Sequence, residues 1–145
     1  MALIHGLMNA KKRGIDMLYI YMSEDNKRLL TEGLETVPSD KVVFKAGFSK
    51  HPILRGGQLK QAARRAIGQE VNMRVRDHYA PCNTDNRKEA EYIERYILRM
   101  IARRPSAVKL SPEFFSISIE DRAYCYKHLR LWIGTARQKM RKEGL

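Results

Sequence analysis

Two charged side chains stand where an unpaired charge would cost free energy. Arg55 falls in the first turn of a helix that the spacing predicts from Pro52, in line with the apolar series Leu59, Ala62, Ala63, Ala66 and Ile67. A cation there opposes the helix macrodipole, so the position asks for a phosphate or an acidic neighbour. Glu94 has Ala90, Ile97, Leu98 and Ile101 as helical neighbours, so its carboxylate emerges from an apolar face. Position alone leaves two readings open for Glu94: an ion pair, with Arg55 as partner, or a metal ligand. Lys45 and Gly47 come shortly before Arg55 on a predicted strand. Val42, Phe44, Ala46 and Phe48 form its core face, while Val43, Lys45 and Gly47 read as a surface carrying a cation and bare backbone. Cations, a carboxylate and approachable backbone are what phosphodiester chemistry needs to hold a phosphate and stabilise its developing charge.

The elements that must hold these residues follow from periodicity. Asp16 to Met22 alternates Leu18, Ile20 and Met22 with Met17, Tyr19 and Tyr21, which predicts a strand. Paired core side to core side with the Val42 strand, it brings both tyrosines to the face of Lys45 and Gly47. Ser23 reads as the cap of a helical insertion over about 24–40, with Leu29, Leu30 and Leu34 at helical spacing and a turn at Val37-Pro38-Ser39-Asp40. Gln69 to Tyr79 alternates as a third strand, with Val71, Met73 and Val75 inward and Asn72, Arg74 and Arg76 outward. Thr84 or Asp85 opens a helix to about Arg104, buried along Ala90, Ile93, Ile97, Met100 and Ile101, with Glu91 placed to pair Arg87 and Arg95 on its surface. Ser118 caps a last helix to about Lys142. Its seam of Tyr126, Leu129, Ile133, Ala136 and Met140 suits packing on the domain or a homodimer contact with a second chain.

The charge balance narrows the partners. Among 145 residues, 28 Lys and Arg stand against 16 Asp and Glu, for a net charge of +12. Such an excess fits a polyanion, most simply nucleic acid, although a ribosome-like or membrane-surface partner has the same signature. Lys50, Lys60, Arg64, Arg65, Arg74, Arg76, Lys127, Arg130, Arg137 and Arg141 are the candidate contacts. Residues 1–13 read as an N-terminal packing helix, apolar at Leu3, Ile4, Leu7 and Met8. Its basic group Lys11-Lys12-Arg13 follows rather than precedes the apolar residues, so neither a signal peptide nor a membrane span is expected. Cys82 and Cys125 lie far apart with no CxxC, so neither a zinc site nor a disulfide is expected and a reducing cytoplasm is the default.

Lys45-Ala46-Gly47-Phe48-Ser49-Lys50-His51-Pro52, with Arg55 eight residues after the glycine, resembles the second signature of the GIY-YIG nuclease superfamily, in its small phage and bacterial branch. Ala90 with Glu94 is similar to that family's A-x-x-x-E, and Ser111-Pro112-Glu113-Phe114-Phe115 to its closing G-E-[WF]-F. The resemblance implies an α+β fold with a small three-stranded, mostly antiparallel sheet flanked by helices over 14–117, followed by an added basic helix over 118–145. It implies a metal-dependent endonuclease acting on double-stranded DNA in the cytoplasm of a bacterial or phage-infected cell. Tyr19 or Tyr21 would be the catalytic tyrosine, Lys45 would stand where other branches have a second tyrosine, Arg55 would contact the phosphate, and Glu94 would hold one Mg²⁺ or Mn²⁺. The first signature departs from the family, since Gly14-Ile15-Asp16 has an aspartate in place of the tyrosine, and Leu98 stands where the branch often has a histidine. Those departures favour a competing class: the same fold as a catalytically inactive DNA-binding or regulatory module. A virion or ribosome-associated RNA-packing protein accounts for the charge but not for Glu94.

Overall fold

Apolar residues on both faces make Lys41–Ser49 (β2) the middle of the sheet, and the other strands are laid out on either side of it. The computed structural model describes residues 17–25, 41–68, 73–75, 79–82 and 84–144. β1 (Tyr19–Asp25) pairs antiparallel with one edge of β2, and β6 (Phe114–Ser118) with the other. β3 (Met73–Arg74) and β4 (Tyr79–Pro81) both lie along the outer edge of β1, and β5 (Val108–Lys109) lies along the outer edge of β6. Among the described residues the result is an α+β fold with an antiparallel sheet five strands wide and three helices: α1 (Pro52–Ile67), α2 (Arg87–Ala102) and α3 (Ile119–Lys142).

The sheet is thus wider than the three strands expected. The added width comes from β5 and β6, runs of two and five residues too short for their alternation to stand out. Among the described residues the expected third strand shows as the pieces β3 and β4, with Met73 and Val75 buried as anticipated. β1 runs on through Ser23 and Glu24, both buried, so Ser23 is a strand residue and not a helix cap. Glu24 is neutralised there by an ion pair with Arg122 of α3. The rest of the expected insertion, 26–40, and the N-terminal helix lie outside the described residues, as do Arg76 and the side chains of Arg55, Lys60 and Arg74.

All three helices contact β2, which covers both of its faces: Val42 through Gly47 are buried without a break. Lys45, expected on a surface, is only 3% exposed. Periodicity cannot separate a half-exposed strand from one covered on both sides when the second face carries a single polar residue.

Local signals fix the helices. Pro52 starts α1, and Gly68, at φ 78°, closes it by donating its N–H to the Arg64 carbonyl at 2.9 Å. Asn86 caps α2 by accepting from the Lys88 N–H, and Ser118 caps α3 by accepting from the Asp121 N–H. Asp121 also ties α3 to the turn after α2, accepting from Arg104 Nε at 3.0 Å and from the Ser106 N–H at 2.9 Å. Burial pushes the Asp121 carboxyl up, but the hydrogen bonds from Ser106 and Arg104 outweigh it and hold the group below its ordinary value. The α3 seam packs within the chain: Leu129, Ile133 and Ala136 join the core formed by the sheet and α2, and the Tyr126 ring lies 5.4 Å from that of Phe44.

Candidate active site

The β2–β6 ladder runs from Lys41 opposite Ser118 to Lys45 opposite Phe114 and stops, whereas β1 pairs with β2 as far as Ser49. Past Lys45, therefore, β2 has a strand neighbour on one side only among the described residues. A cavity of about 530 Å³ opens at this edge, lined by Lys45, Gly47, Phe48, Ser49 and Lys50, by Leu18 and Tyr21, by Arg87 and Glu94 of α2, and by Glu113 just before β6.

Tyr21 sits directly opposite Gly47 in the β1–β2 register, and its ring lies across the glycine. A Cβ at position 47 would fall 2.5 Å from the Tyr21 hydroxyl oxygen and 2.7 Å from Cζ, distances no side chain tolerates. Absence of a side chain at Gly47 is therefore what lets a tyrosine only 1% exposed bring its hydroxyl to the cavity.

Lys45 is held from several sides. Its ammonium donates to the Tyr21 hydroxyl at 3.4 Å and to the Ala46 carbonyl at 3.3 Å, and pairs with Glu113 Oε2 at 3.3 Å. The Tyr21 and Phe114 rings lie 5.5 and 5.8 Å from the same nitrogen.

Glu94 is half-buried, and burial pushes its carboxyl from 4.5 up to about 7; the Lys45 ammonium opposes that rise, while Glu113 and Glu91 add to it. Among the described residues Glu94 has no ion-pair partner within 4 Å. The alternative of a pair with Arg55 falls on a side chain outside the described residues. No group of three or more His, Cys, Asp and Glu side chains gathers among the described residues. A cation here would thus be held through Glu94, keeping most of its own waters, which is how Mg²⁺ commonly binds.

The fold brings Tyr21, Lys45, Lys50 and Glu94 together. Tyr19, on the same face of β1, does not line the cavity; its ring meets that of Tyr79 edge-on at 6.0 Å. Arg64 and Arg65 are exposed in the last turn of α1. Arg65 lines a separate groove of about 500 Å³ with Ala62, Ala66 and residues 111–114, so Glu113 borders both hollows. Lys127, Arg130 and Arg141 are exposed on α3 and Arg137 is half-buried.

The chain matches no protein-family model, no curated protein and no solved structure. The site therefore rests on its own geometry.

Two members of that site carry no assignment from the sequence. Glu113 stands out only once β6 carries it to Lys45, although its place ahead of two phenylalanines was a usable signal. Arg87 is positioned for an i,i+4 pair with Glu91, yet its guanidinium lies 5.2 Å over the Phe48 ring; it is Arg95 that approaches Glu91, at 3.9 Å. Cys82 and Cys125 are buried, and burial pushes both thiols up to about 12, which keeps them protonated and unreactive.

Proposed function

We propose that the protein is a metal-dependent endonuclease that hydrolyses phosphodiester bonds in DNA, of the GIY-YIG type that its motifs resemble. The observation that carries this reading is the meeting of the Tyr21 hydroxyl, the Lys45 ammonium and the desolvated Glu94 carboxylate around one cavity made by Gly47 and the end of the β2–β6 ladder.

In this reading Tyr21 takes the proton of the attacking water as its own hydroxyl proton passes to solvent through the open cavity. Lys45, 3.4 Å from the tyrosine oxygen, stabilises the negative charge that builds between that oxygen and the phosphate. Lys50 and Arg87, on the cavity wall, contact the flanking phosphate oxygens. Glu94 holds Mg²⁺ or Mn²⁺, which when bound supplies Lewis-acid stabilisation of the phosphate. Arg55 is assigned to the phosphate as well, and its helix starts only two residues beyond Lys50. The net charge of +12 supplies the general attraction for DNA.

A second reading, a DNA-binding module without catalysis, is favoured by Leu98, which packs against the core where the related nucleases often place a histidine. Plasmid nicking with and without Mg²⁺ or Mn²⁺, beside binding by fluorescence anisotropy, separates the two. The nuclease reading expects cation-dependent cleavage that Glu94→Ala abolishes while binding persists. Tight binding with no cleavage under either cation would leave the module.

A further inference from the structure

We propose that Glu113 is a displaceable counter-ion that holds the Lys45 ammonium in the free protein and yields it to a substrate phosphate, so that the site admits a polyanion and resists single phosphates. The proposal rests on the cavity being a phosphodiester site.

The two partners are unequal. The Lys45 side chain is 4% exposed and that of Glu113 is 50% exposed, yet their charged atoms are 3.3 Å apart. Lys45 cannot follow its partner outward, because its stem starts in the middle strand and its nitrogen is fixed by the Tyr21 hydroxyl and the Ala46 carbonyl. A buried ammonium with no anion beside it is costly, so in the free protein Glu113 keeps the site assembled. Glu113 can leave, since half of its surface already meets solvent and a rotation about its own side chain suffices. A destination is at hand, because the same residue borders the groove whose other wall carries the exposed Arg65.

A phosphate entering the cavity meets Lys45, Lys50 and Arg87 as attractions and the carboxyls of Glu113 and Glu94 as repulsions, of which Glu113 is the one paired to Lys45. Should Glu113 stay, two anions share one ammonium. Displacing it subtracts the Lys45–Glu113 attraction from whatever binding energy the ligand brings. A free phosphate has little else to offer, whereas a DNA strand adds contacts along the basic surface and absorbs that loss. Glu113 thus sets a threshold that a polymer clears and a lone phosphate at ordinary concentration does not, and it acts through Lys45 as a positioning residue.

The test follows binding of inorganic phosphate and of a short DNA duplex to the intact chain by NMR, reading the Lys45 Nζ and Glu113 Cδ resonances. In the wild type, a short DNA duplex should move both sets together, and inorganic phosphate should do so only weakly; a Lys45 response with Glu113 unmoved overturns the exchange, as does no response in either to the duplex. Glu113→Gln should tighten binding of inorganic phosphate and of a short DNA duplex by a similar factor of about tenfold, because both must displace the same counter-ion, and Glu113→Asp should stay near wild type. Equal or weaker phosphate binding by a folded Glu113→Gln overturns the proposal, and damaged structure cannot produce a gain. If the Gln variant does not fold, the wild-type resonances still decide. Failure of the nuclease reading shows separately, as absent cleavage, and does not alter these binding readouts.

Discussion

Gly47 lies opposite Tyr21 at a separation that leaves no room for a methyl group, with the hydroxyl oxygen 2.5 Å and ring carbon Cε2 2.9 Å from where a Cβ would stand. Tyr21 is 1% exposed, so its ring has nowhere to retreat without disturbing the core. Gly47→Ala is expected to cost about 1–3 kcal/mol, the usual range for overpacking, read as a lowered denaturation midpoint. Pairing it with Tyr21→Leu should recover part of that loss, because the clash is with the ring. Strictly additive losses in the double variant would place the strain elsewhere.

The same geometry separates two tyrosines that the sequence leaves equivalent. Tyr21 reaches Lys45 and the cavity, while Tyr19 packs against Tyr79. Tyr21→Phe keeps the ring and removes the proton acceptor, so cleavage should slow by about a hundredfold or more with binding retained. Tyr19→Phe should cleave at close to the wild-type rate. A reversal of that order in single-turnover assays would move the catalytic role to Tyr19.

Glu94 gives a pH signature that needs no activity. Burial raises its carboxyl from 4.5 to about 7, so between those values the folded chain holds a proton that the unfolded chain has released. Stability from this group therefore falls as pH rises across that window and levels off above it. Glu94→Gln removes the ionisation, so chemical denaturation at pH 5 and pH 7.5 should show the wild type losing ground to the variant at the higher pH. A difference between the two proteins that stays constant with pH would mean that Glu94 is not desolvated. Mg²⁺ should raise the wild-type midpoint more at pH 7.5 than at pH 5, because its ligand must be ionised.

How much of this was legible depended on whether the signal was local. Pro52 and Ser118 punctuate their helices as their types require, and the alternation of Leu18, Ile20 and Met22 places both Tyr19 and Tyr21 on the face of Gly47, the register with β2 singling out Tyr21. Glu94 on an apolar helix face was visible as a charge out of place, and its raised carboxyl is the physical form of that misfit. Sequence periodicity could not show that β2 is covered on both faces, since burial of Lys45 depends on helices far along the chain and on the Glu113 carboxylate. The short β5 and β6 carry too few residues for a period, and the end of the β2–β6 ladder is what opens the cavity. Arg87 illustrates the same limit. Its local partner at i,i+4 lost to a ring that only the tertiary fold supplies.

The basic surface of α3 offers the remaining test. Arg130 and Arg137 border a cavity of about 180 Å³ with Gly134 between them on the helix and Ala80 and Pro81 across from them, and a Cβ at Gly134 would meet nothing within 4 Å. Two guanidiniums around an open hollow suit a phosphate oxygen, and the residues lining this hollow are all different from those lining the Tyr21 cavity. If both arginines touch DNA phosphates, replacing each with alanine should weaken binding and lower the slope of log affinity against log salt by about one unit per contact. On the nuclease reading, turnover at saturating DNA should stay near the wild-type value, because neither residue borders the Tyr21 cavity. Gly134→Ala should leave both readings unchanged, which controls for disturbance of the helix. Loss of affinity with an unchanged salt slope would make the pair a packing feature of α3 against β4, and a fall in saturated turnover would join this surface to the active site.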